Sequence, residues 1–384
     1  MTFKLYKTTQ ELPQNDWQAL CLQQYFYLQI PYLATLEKTL PPNLQPYYLI
    51  AYTEKLPIFI AYLQLYSFEK TALENLKTTG FLSTGLGKML MKRFYAQSYK
   101  VLILGNTLVT SSNSYACLPQ TPDAQQMACV EEALAFCKEN IEFDASVLKD
   151  APAQFAPIAE YQPLLTEPNM VLELPKNWRK KEDYSLALSA KYRTRYKSAQ
   201  KKAANVLVKP LSLVEVKRYE AELFGLFEQV YDKVAFKIAK IKPAYFTEFK
   251  TDFEEHFFVN GYFLDEKLIG FTSSFRHENG LDAHFIGIDY AHNATKKLYQ
   301  NMLYNFVHEA IELRVSRLNL SRTALAIKST VGAEPEVLNC SINFCNCMVG
   351  TIFSPVIKRL KTTEWQQRNP FKDGEPADFS LELA

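Results

Sequence analysis

Residues 268–289 read LIGFTSSFRHENGLDAHFIGID. Two runs rich in aromatic and β-branched residues flank Glu278-Asn279-Gly280. The glycine supplies the left-handed backbone that a tight turn needs, so the stretch predicts an antiparallel hairpin. Upstream, GYFLD at 261–265 and the turn Asp265-Glu266-Lys267 add a third strand. Downstream, Leu298, Met302, Leu303, Phe306 and Ala310 share one face of a helix over residues 294–313, and SRLNLS at 316–321 returns as a strand. Meander, helix and strand in this order describe an α/β unit with helices covering a sheet.

Outward from this core, the second half is predicted to begin near Asn177. A helix from Ser185 carries Leu188, Tyr192, Ala199 and Ala203 on one side; strand VLVKPL (206–211), a helix over 213–234 and another over 243–258 follow. In the first half, a helix at Trp17 and a second with Pro31 near its start precede Pro41-Pro42. YYLIAY (47–52) and LPIFIAYLQLY (56–66) read as a hairpin through Thr53-Glu54-Lys55. VLILG from Val101, an amphipathic helix from Asp123 to Asn140 with Asp123 as N-cap, and strand VLEL (171–174) complete it. The first half thus repeats hairpin, strand and helix, and the chain divides into domains 1–176 and 177–384.

The 384 residues suit two domains rather than one. Hydrophobic residues at 48% and charged residues at 22% describe a globular chain. A net charge of +2 provides no global field to recruit nucleic acid, so any basic patch acts locally and no DNA partner is expected. Aromatic residues reach 14%, enough either to fill ordinary cores or to line an apolar tunnel for a long chain. The seven cysteines are odd in number and irregular in spacing, which fits a reduced, cytoplasmic setting. Cys345 and Cys347 form a CxC near Cys340 without a neighbouring His, so no metal site is expected. The opening MTFKLYKTTQELPQ lacks a signal-peptide core, and no apolar run reaches the ~18–20 residues of a membrane span. Residues 337–357 carry no charge, and read either as buried strands or as a monotopic contact with a membrane face.

Two strings carry candidate chemistry. LSAKYRTRYKSAQKKA at 188–203 is a cationic helix in which Arg193, Lys197 and Lys201 recur at i, i+4 and Arg195 adds a further cation. Like charges at that spacing destabilise by about 0.2–0.5 kcal/mol per pair. The face is therefore either solvated or offset by an anion: a phosphate-bearing acyl carrier, tRNA or an anionic membrane surface. RTALAIKSTVGAEP at 322–335 brings Arg322 and Lys328 to a turn at Gly332-Ala333, a second candidate anion site. Between them, Asp282 and His284 point to one side of their strand at a spacing of two. That pair reads either as a base with its orienting carboxylate or as a core histidine satisfied by neighbours. In AHNATKK at 291–297, a helix start at Asn293, with Lys296 and Lys297, offers amides and cations to an anion. Hydrolase-elbow, zincin, P-loop and dinucleotide motifs are absent from the sequence.

The ordered set Lys191, Arg193, Arg195, Lys197, Ala199 and Lys201, then Phe227, Tyr231, Tyr245-Phe246, Leu268-Ile269-Gly270-Phe271 and the closing Lys328, Gly332 and Ala333 resembles the FemA/FemB-like branch of the GNAT (Gcn5-related N-acyltransferase) superfamily. Arg322-Thr323-Ala324 replaces a stretch where that branch carries glycine, and 291–297 lacks the glycine-rich loop that acetyltransferases place against the coenzyme pyrophosphate. The resemblance implies two tandem GNAT-like domains, each a mixed central sheet flanked by helices. It implies a splayed strand at 281–289 whose backbone amides hold a thioester carbonyl. It also implies transfer of an acyl group from acyl-CoA or acyl carrier protein to an amine, with no tightly bound cofactor. Similar bacterial enzymes N-acylate sphingoid-type bases, so a sphingoid or sulfonolipid-type base is the expected acceptor. Cell-wall acyl or aminoacyl transfer and a non-catalytic lipid- or RNA-binding module are the alternatives; tRNA is not expected. His284 would act as base, Asp282 would orient it, and Arg193, Arg195, Lys197, Asn293, Lys296, Lys297, Arg322 and Lys328 would bind the donor. Peripheral contact with the inner face of the cytoplasmic membrane goes with that reading.

Overall fold

The structure, a computed structural model, describes residues 1–22, 25–68, 98–110, 114–155, 158–233, 240–278, 280–357 and 364–372. The chain opens with β1 (Thr2–Tyr6), α1 (Gln14–Leu20), α2 (Ile30–Thr39), β2 (Leu44–Thr53), β3 (Leu56–Phe68), β4 (Tyr99–Leu104), β5 (Tyr115–Cys117), α3 (Asp123–Asn140), β6 (Ala145–Pro152) and β7 (Gln162–Pro163). It continues through β8 (Asn169–Glu173), α4 (Lys181–Ala187), α5 (Ala190–Lys202), β9 (Leu207–Pro210), α6 (Leu213–Arg218), α7 (Glu220–Tyr231) and α8 (Tyr245–Asp252). Then come β10 (Phe257–Leu264), β11 (Lys267–His277), β12 (Gly280–Ile288), α9 (Tyr290–Lys296), α10 (Leu298–Glu312), β13 (Arg317–Asn319), α11 (Leu325–Lys328) and β14 (Glu334–Glu336). The last two elements are β15 (Leu338–Phe344) and α12 (Cys347–Ile357).

These elements form two compact units. The first comprises Met1–Thr166, Phe236–Lys242 and Leu338–Lys361; the second comprises Glu167–Ala235, Pro243–Val337 and Thr362–Ala384. The first has a mixed sheet in the order β1-β2-β3-β4-β6-β15-β7, with β5 also on β3. Its core gathers Leu49, Leu63, Leu102 and Leu104 from the sheet against Val130 and Leu134 of α3. The charge-free stretch expected as strands is one strand, β15, followed by the helix α12. Asp123 opens α3 as its first helical residue rather than capping it; Pro122 stands at the cap.

The second unit has the order β14-β8-β13-β12-β11-β10-β9. Strands β10, β11 and β12 are the expected antiparallel meander, and β12 joins β13 in parallel through α9 and α10. A parallel pair needs such a crossover, and α10 provides it by burying Leu303, Phe306, Val307 and Ala310 against Leu281 and Leu318. Turns 54–55 and 265–266 are two-residue hairpin loops with both residues at positive φ, built here from Glu, Lys and Asp without glycine. At the third turn, Asn279 lies outside the described residues.

Three helices predicted as continuous are broken. Residues 294–313 divide at Lys297, which adopts φ 51° and lets α10 start on a new axis. Residues 213–234, of which Val234 lies outside the described residues, divide at Tyr219. The break leaves α7 to lay Leu223, Leu226 and Phe227 over β11 and β12. The Ser185 helix divides at Leu188 and Ser189, both extended. The helix over 243–258 stops at Asp252, because Phe257 and Phe258 already belong to β10.

Close packing of α7 on β12 requires glycine at position 287. A methyl group there would stand 2.2 Å from Phe271 Cε1 and 2.7 Å from Leu226 Cβ. Gly287→Ala is expected to destabilise the protein by about 1–3 kcal/mol, the usual consequence of overpacking; urea denaturation of the two proteins measures it.

Candidate functional site

The meander is not regular throughout. Thr272 pairs with Ile286 and Ser274 with Ala283, so the two residues His284 and Phe285 of β12 oppose the single residue Ser273 of β11. This is a β-bulge, which leaves the ladder locally unmade and re-aims side chains. The Ser273 hydroxyl replaces the missing ladder bonds: it donates to the Phe285 carbonyl at 3.0 Å and accepts from the Phe285 amide at 3.0 Å. Ser273 is fully buried.

The bulge directs both His284 and Phe285 toward α8. The imidazole stacks on Tyr245 at a centroid distance of 5.6 Å, meets Phe275 edge-on at 5.0 Å and lies 4.0 Å from the Phe285 ring. The Tyr245 hydroxyl and His284 Nε2 are 2.7 Å apart. Although the residue as a whole is only half-buried, the ring is enclosed by aromatic carbon, and desolvation drives its pKa down to about 3 against a smaller opposite pull from Asp282. His284 is therefore a neutral imidazole across the physiological range. Asp282 lies on the same side of β12, as the spacing predicted, and its Oδ2 is 3.2 Å from His277 Nε2. The structure thus pairs His284 with Tyr245 and Asp282 with His277; Asp282 acts on His284 through its field.

Beside the bulge, β12 leaves its other neighbour. It pairs with β13 only at Leu281↔Leu318 and Asp282↔Asn319, and residues 283–288 run on without a β13 partner. Strand β13 ends at Asn319, and a loop of three left-handed non-glycine residues follows: Ser321 (φ 60°), Thr323 (φ 68°) and Ala324 (φ 51°). Each such residue is strained by roughly 1–3 kcal/mol and persists only where its surroundings hold it. Lys328 does so. Its ammonium donates to the Ser321 carbonyl at 3.1 Å and to the Arg322 carbonyl. Burial lowers the Lys328 pKa to about 7, with Glu167 pulling it back up. Lys328, expected to bind the donor, is thus a buried clamp on the loop that borders the β12–β13 gap. Arg322 turns its Nε to the Glu167 carbonyl at 2.8 Å.

The remaining predicted anion ligands separate into two sets. Arg193 donates from Nη2 to the Leu188 carbonyl at 2.8 Å, closing the α4–α5 junction, and Arg195 lies over the Tyr192 ring at 5.6 Å. Lys197 and Lys201 are exposed. The C-terminal end of α5 reaches the start of α10 through Asn301, whose Nδ2 donates to the carbonyls of Ala199, Lys296 and Lys297. The backbone at Lys296 and Lys297 is thereby tied to the C-terminal end of α5, and Lys296 Nζ donates to Asn205 Oδ1 at 2.8 Å. Asn293 is not a helix start. Helix α9 begins at Tyr290, its first amides meet the Asp289 carboxylate at Ala291 N (3.1 Å), and Asn293 Oδ1 accepts from Tyr299 N at 3.0 Å. With Asp289 filling the position of an anion, that terminus has its negative partner already.

Sequence reasoning missed Ser273 and the pairing of Tyr245 with His284. A serine inside a buried strand is a signal, since its hydroxyl must find a partner; the bulge it serves leaves no periodicity to read. It also missed Glu309, whose carboxyl is pushed up to about 7 by burial, with Asn260 Nδ2 at 3.4 Å. Glu309 lies over β10 and β11 on the α10 side of the sheet, away from the gap.

His284 takes up a proton near pH 6.5 when unfolded and only near 3 when folded, so the unfolded chain binds more protons in that interval and stability rises with pH through it, levelling above 6.5. His308, lowered to about 4 by burial, adds in the same sense. Replacing His284 by Gln is expected to flatten the dependence of unfolding free energy on pH between 6.5 and 4 by up to one proton, measured by denaturation at a series of pH values.

The sequence matches no family model and no curated protein. Among solved structures, the chain is similar to FemX, with TM-score 0.53 and 9% identity over 91% of this chain and 99% of FemX. It is also similar to a tandem GNAT protein from the clavulanic acid biosynthesis pathway, with TM-score 0.46 and 10% identity over 89% of this chain and 98% of that one. At such identity the likeness to FemX is one of fold. The chain has two GNAT-like α/β units, each a mixed central sheet flanked by helices, along nearly its whole length.

Proposed function

We propose that the second unit transfers an acyl group from a thioester to an amine at the gap between β12 and β13. The observation that carries this reading is the bulge at His284–Phe285 beside six residues of β12, 283–288, that lack a β13 partner. Free strand backbone offers preorganised amides to a thioester carbonyl, whose oxygen gains charge as the amine adds. The donor, acyl-CoA or an acyl carrier protein, would lie along that edge, with its phosphates at the exposed lysines of α5 and at Lys296 and Lys297.

The amine attacks in its neutral form, and the addition step leaves a positively charged nitrogen far more acidic than the free ammonium. A neutral imidazole takes that proton and passes it on through the Tyr245 hydroxyl or water. The adduct then collapses, the C–S bond breaks, and the thiolate leaves and takes up a proton from water. With a pKa of about 3, His284 holds the proton only briefly, and it is already deprotonated wherever the amine is reactive. The aromatic shell of Tyr245, Phe249, Phe275 and Phe285 favours an acceptor with an apolar chain, and a sphingoid or sulfonolipid-type base is our first choice. Cell-wall acyl or aminoacyl transfer is the second reading, favoured by the fold shared with FemX. Among the described residues no helix is long and apolar enough to cross a membrane, so a lipid acceptor would be met at a surface.

Mass spectrometry of the product from pure protein, palmitoyl-CoA or palmitoyl-acyl carrier protein, and a sphingoid base tests the proposal. An amide is expected, and His284→Ala should lower kcat by about 100-fold or more while the fold persists. Absence of amide with both donors across sphingoid and cell-wall amines would leave a binding module as the better account. Lys197→Gln with Lys201→Gln should raise KM for the donor several-fold and leave kcat unchanged; equal KM would make that helix face merely solvated.

A further inference from the structure

A cavity of about 470 Å³ opens at the hairpin end of the second unit, between the exit of β8, the tip of β11 and the exit of α10. Arg276 on its wall lies opposite Leu281, seven residues before Ile288 on β12. At ~3.3 Å per residue, that wall is about 7 Å from the near end of the gap at Ala283 and about 23 Å from its far end. The cavity opens at the hairpin end of the sheet rather than along the gap, and its proposed ligand does not depend on the acyl-transfer reading.

Its lining is unbalanced in charge. Lys176, Arg179, Arg276 and Arg314 contribute four cations, against one carboxylate, Glu278. Nearby Arg317 shows how this protein satisfies a guanidinium: it holds Glu173 at 2.8 Å and Glu336 at 2.6 Å. None of the four cavity cations has such a carboxylate partner among the described residues. His277 also lines the cavity, and it is turned to Asp282. The rest of the lining is largely apolar, and it includes Trp178, whose ring is fixed edge-on against Tyr184 at 5.5 Å and Phe371 at 5.7 Å. All four cations are exposed, so an anion can reach them from solvent, and guanidinium forks match the oxygens of phosphate with paired hydrogen bonds. A carboxylate occupies one fork; a phosphate dianion can engage several. The volume exceeds that of a bare ion and falls in the range of small-molecule sites.

We propose that this cavity binds an organic phosphate, with the phosphate on Arg179, Arg276 and Arg314 and an apolar or planar portion on Trp178. The phosphate belongs either to a soluble metabolite or to a phospholipid headgroup, and the chemistry of recognition is the same.

The full chain labelled with 5-fluorotryptophan gives three fluorine resonances, one per tryptophan, and Trp178→Phe assigns the one that matters. Phenyl phosphate should shift the Trp178 resonance saturably, whereas phenol at equal concentration should not. Arg179→Gln with Arg276→Gln should weaken that response at least tenfold, and Lys55→Gln with Lys217→Gln, an equal loss of charge elsewhere, should not. If the first double variant fails to fold, Arg314→Asn serves in its place, since asparagine tolerates the φ of 55° found there. A response to phosphatidylglycerol vesicles without one to phenyl phosphate would assign the phosphate to a lipid headgroup; the converse would assign a soluble ligand. No saturable shift with either probe, equal affinity in the cavity variant, or equal weakening in the control variant overturns the proposal.

Discussion

Both backbone groups of Phe285 rest on one hydroxyl, that of Ser273. Without that bridge, a bulge in the middle of a buried sheet would strand an amide and a carbonyl, each costing about 1–3 kcal/mol. With it, β12 can carry an extra residue, aim both His284 and Phe285 at α8, and leave β13 behind. The aromatic enclosure of His284 follows from that extra residue, and the gap opens just before it, where β13 ends at Asn319. The enclosure then sets the electrostatics, because rings on several sides remove the water that would stabilise an imidazolium.

On the other side of the gap, the constraint is a buried ammonium. Lys328 comes from α11 and reaches back to the carbonyls of the loop it follows, so a short stretch of chain closes on itself. Three left-handed residues within residues 321–324 would relax if that clamp were lost. The two borders of the gap are thus fixed by different means, a hydroxyl on β11 and a buried amine from α11. Tyr184 adds a third tie, donating its hydroxyl to the Val331 carbonyl at 3.2 Å.

The meander, the crossover helix and the returning strand were legible because each rests on local periodicity and turn chemistry. The side of β12 shared by Asp282 and His284 was legible for the same reason. The partners of those two residues were not: Tyr245 is 39 residues from His284 and arrives by helix packing alone. Arg193 and Lys328 looked like free cations because charge is visible in a sequence and burial is not. Asn293 was misplaced because Asp289, four residues earlier, takes the cap and moves the helix start. The helix breaks at Lys297 and Tyr219 escaped notice since neither residue is a glycine or proline.

The unpaired length of β12 has one further consequence. A strand edge with free amides and carbonyls is a template for any other extended chain, and proteins blunt such edges to avoid aggregation. The outermost strands of this sheet are blunted in the usual way: β14 carries Glu334, Pro335 and Glu336, and β9 carries Lys209 and Pro210. Residues 283–288 include Ala, Phe, Ile and Gly but no acid or lysine that would repel a neighbour. Their protection is positional. They lie inside the sheet, with β11 on one side and the 320–324 loop on the other, so no outer edge of the sheet exposes them to a second polypeptide.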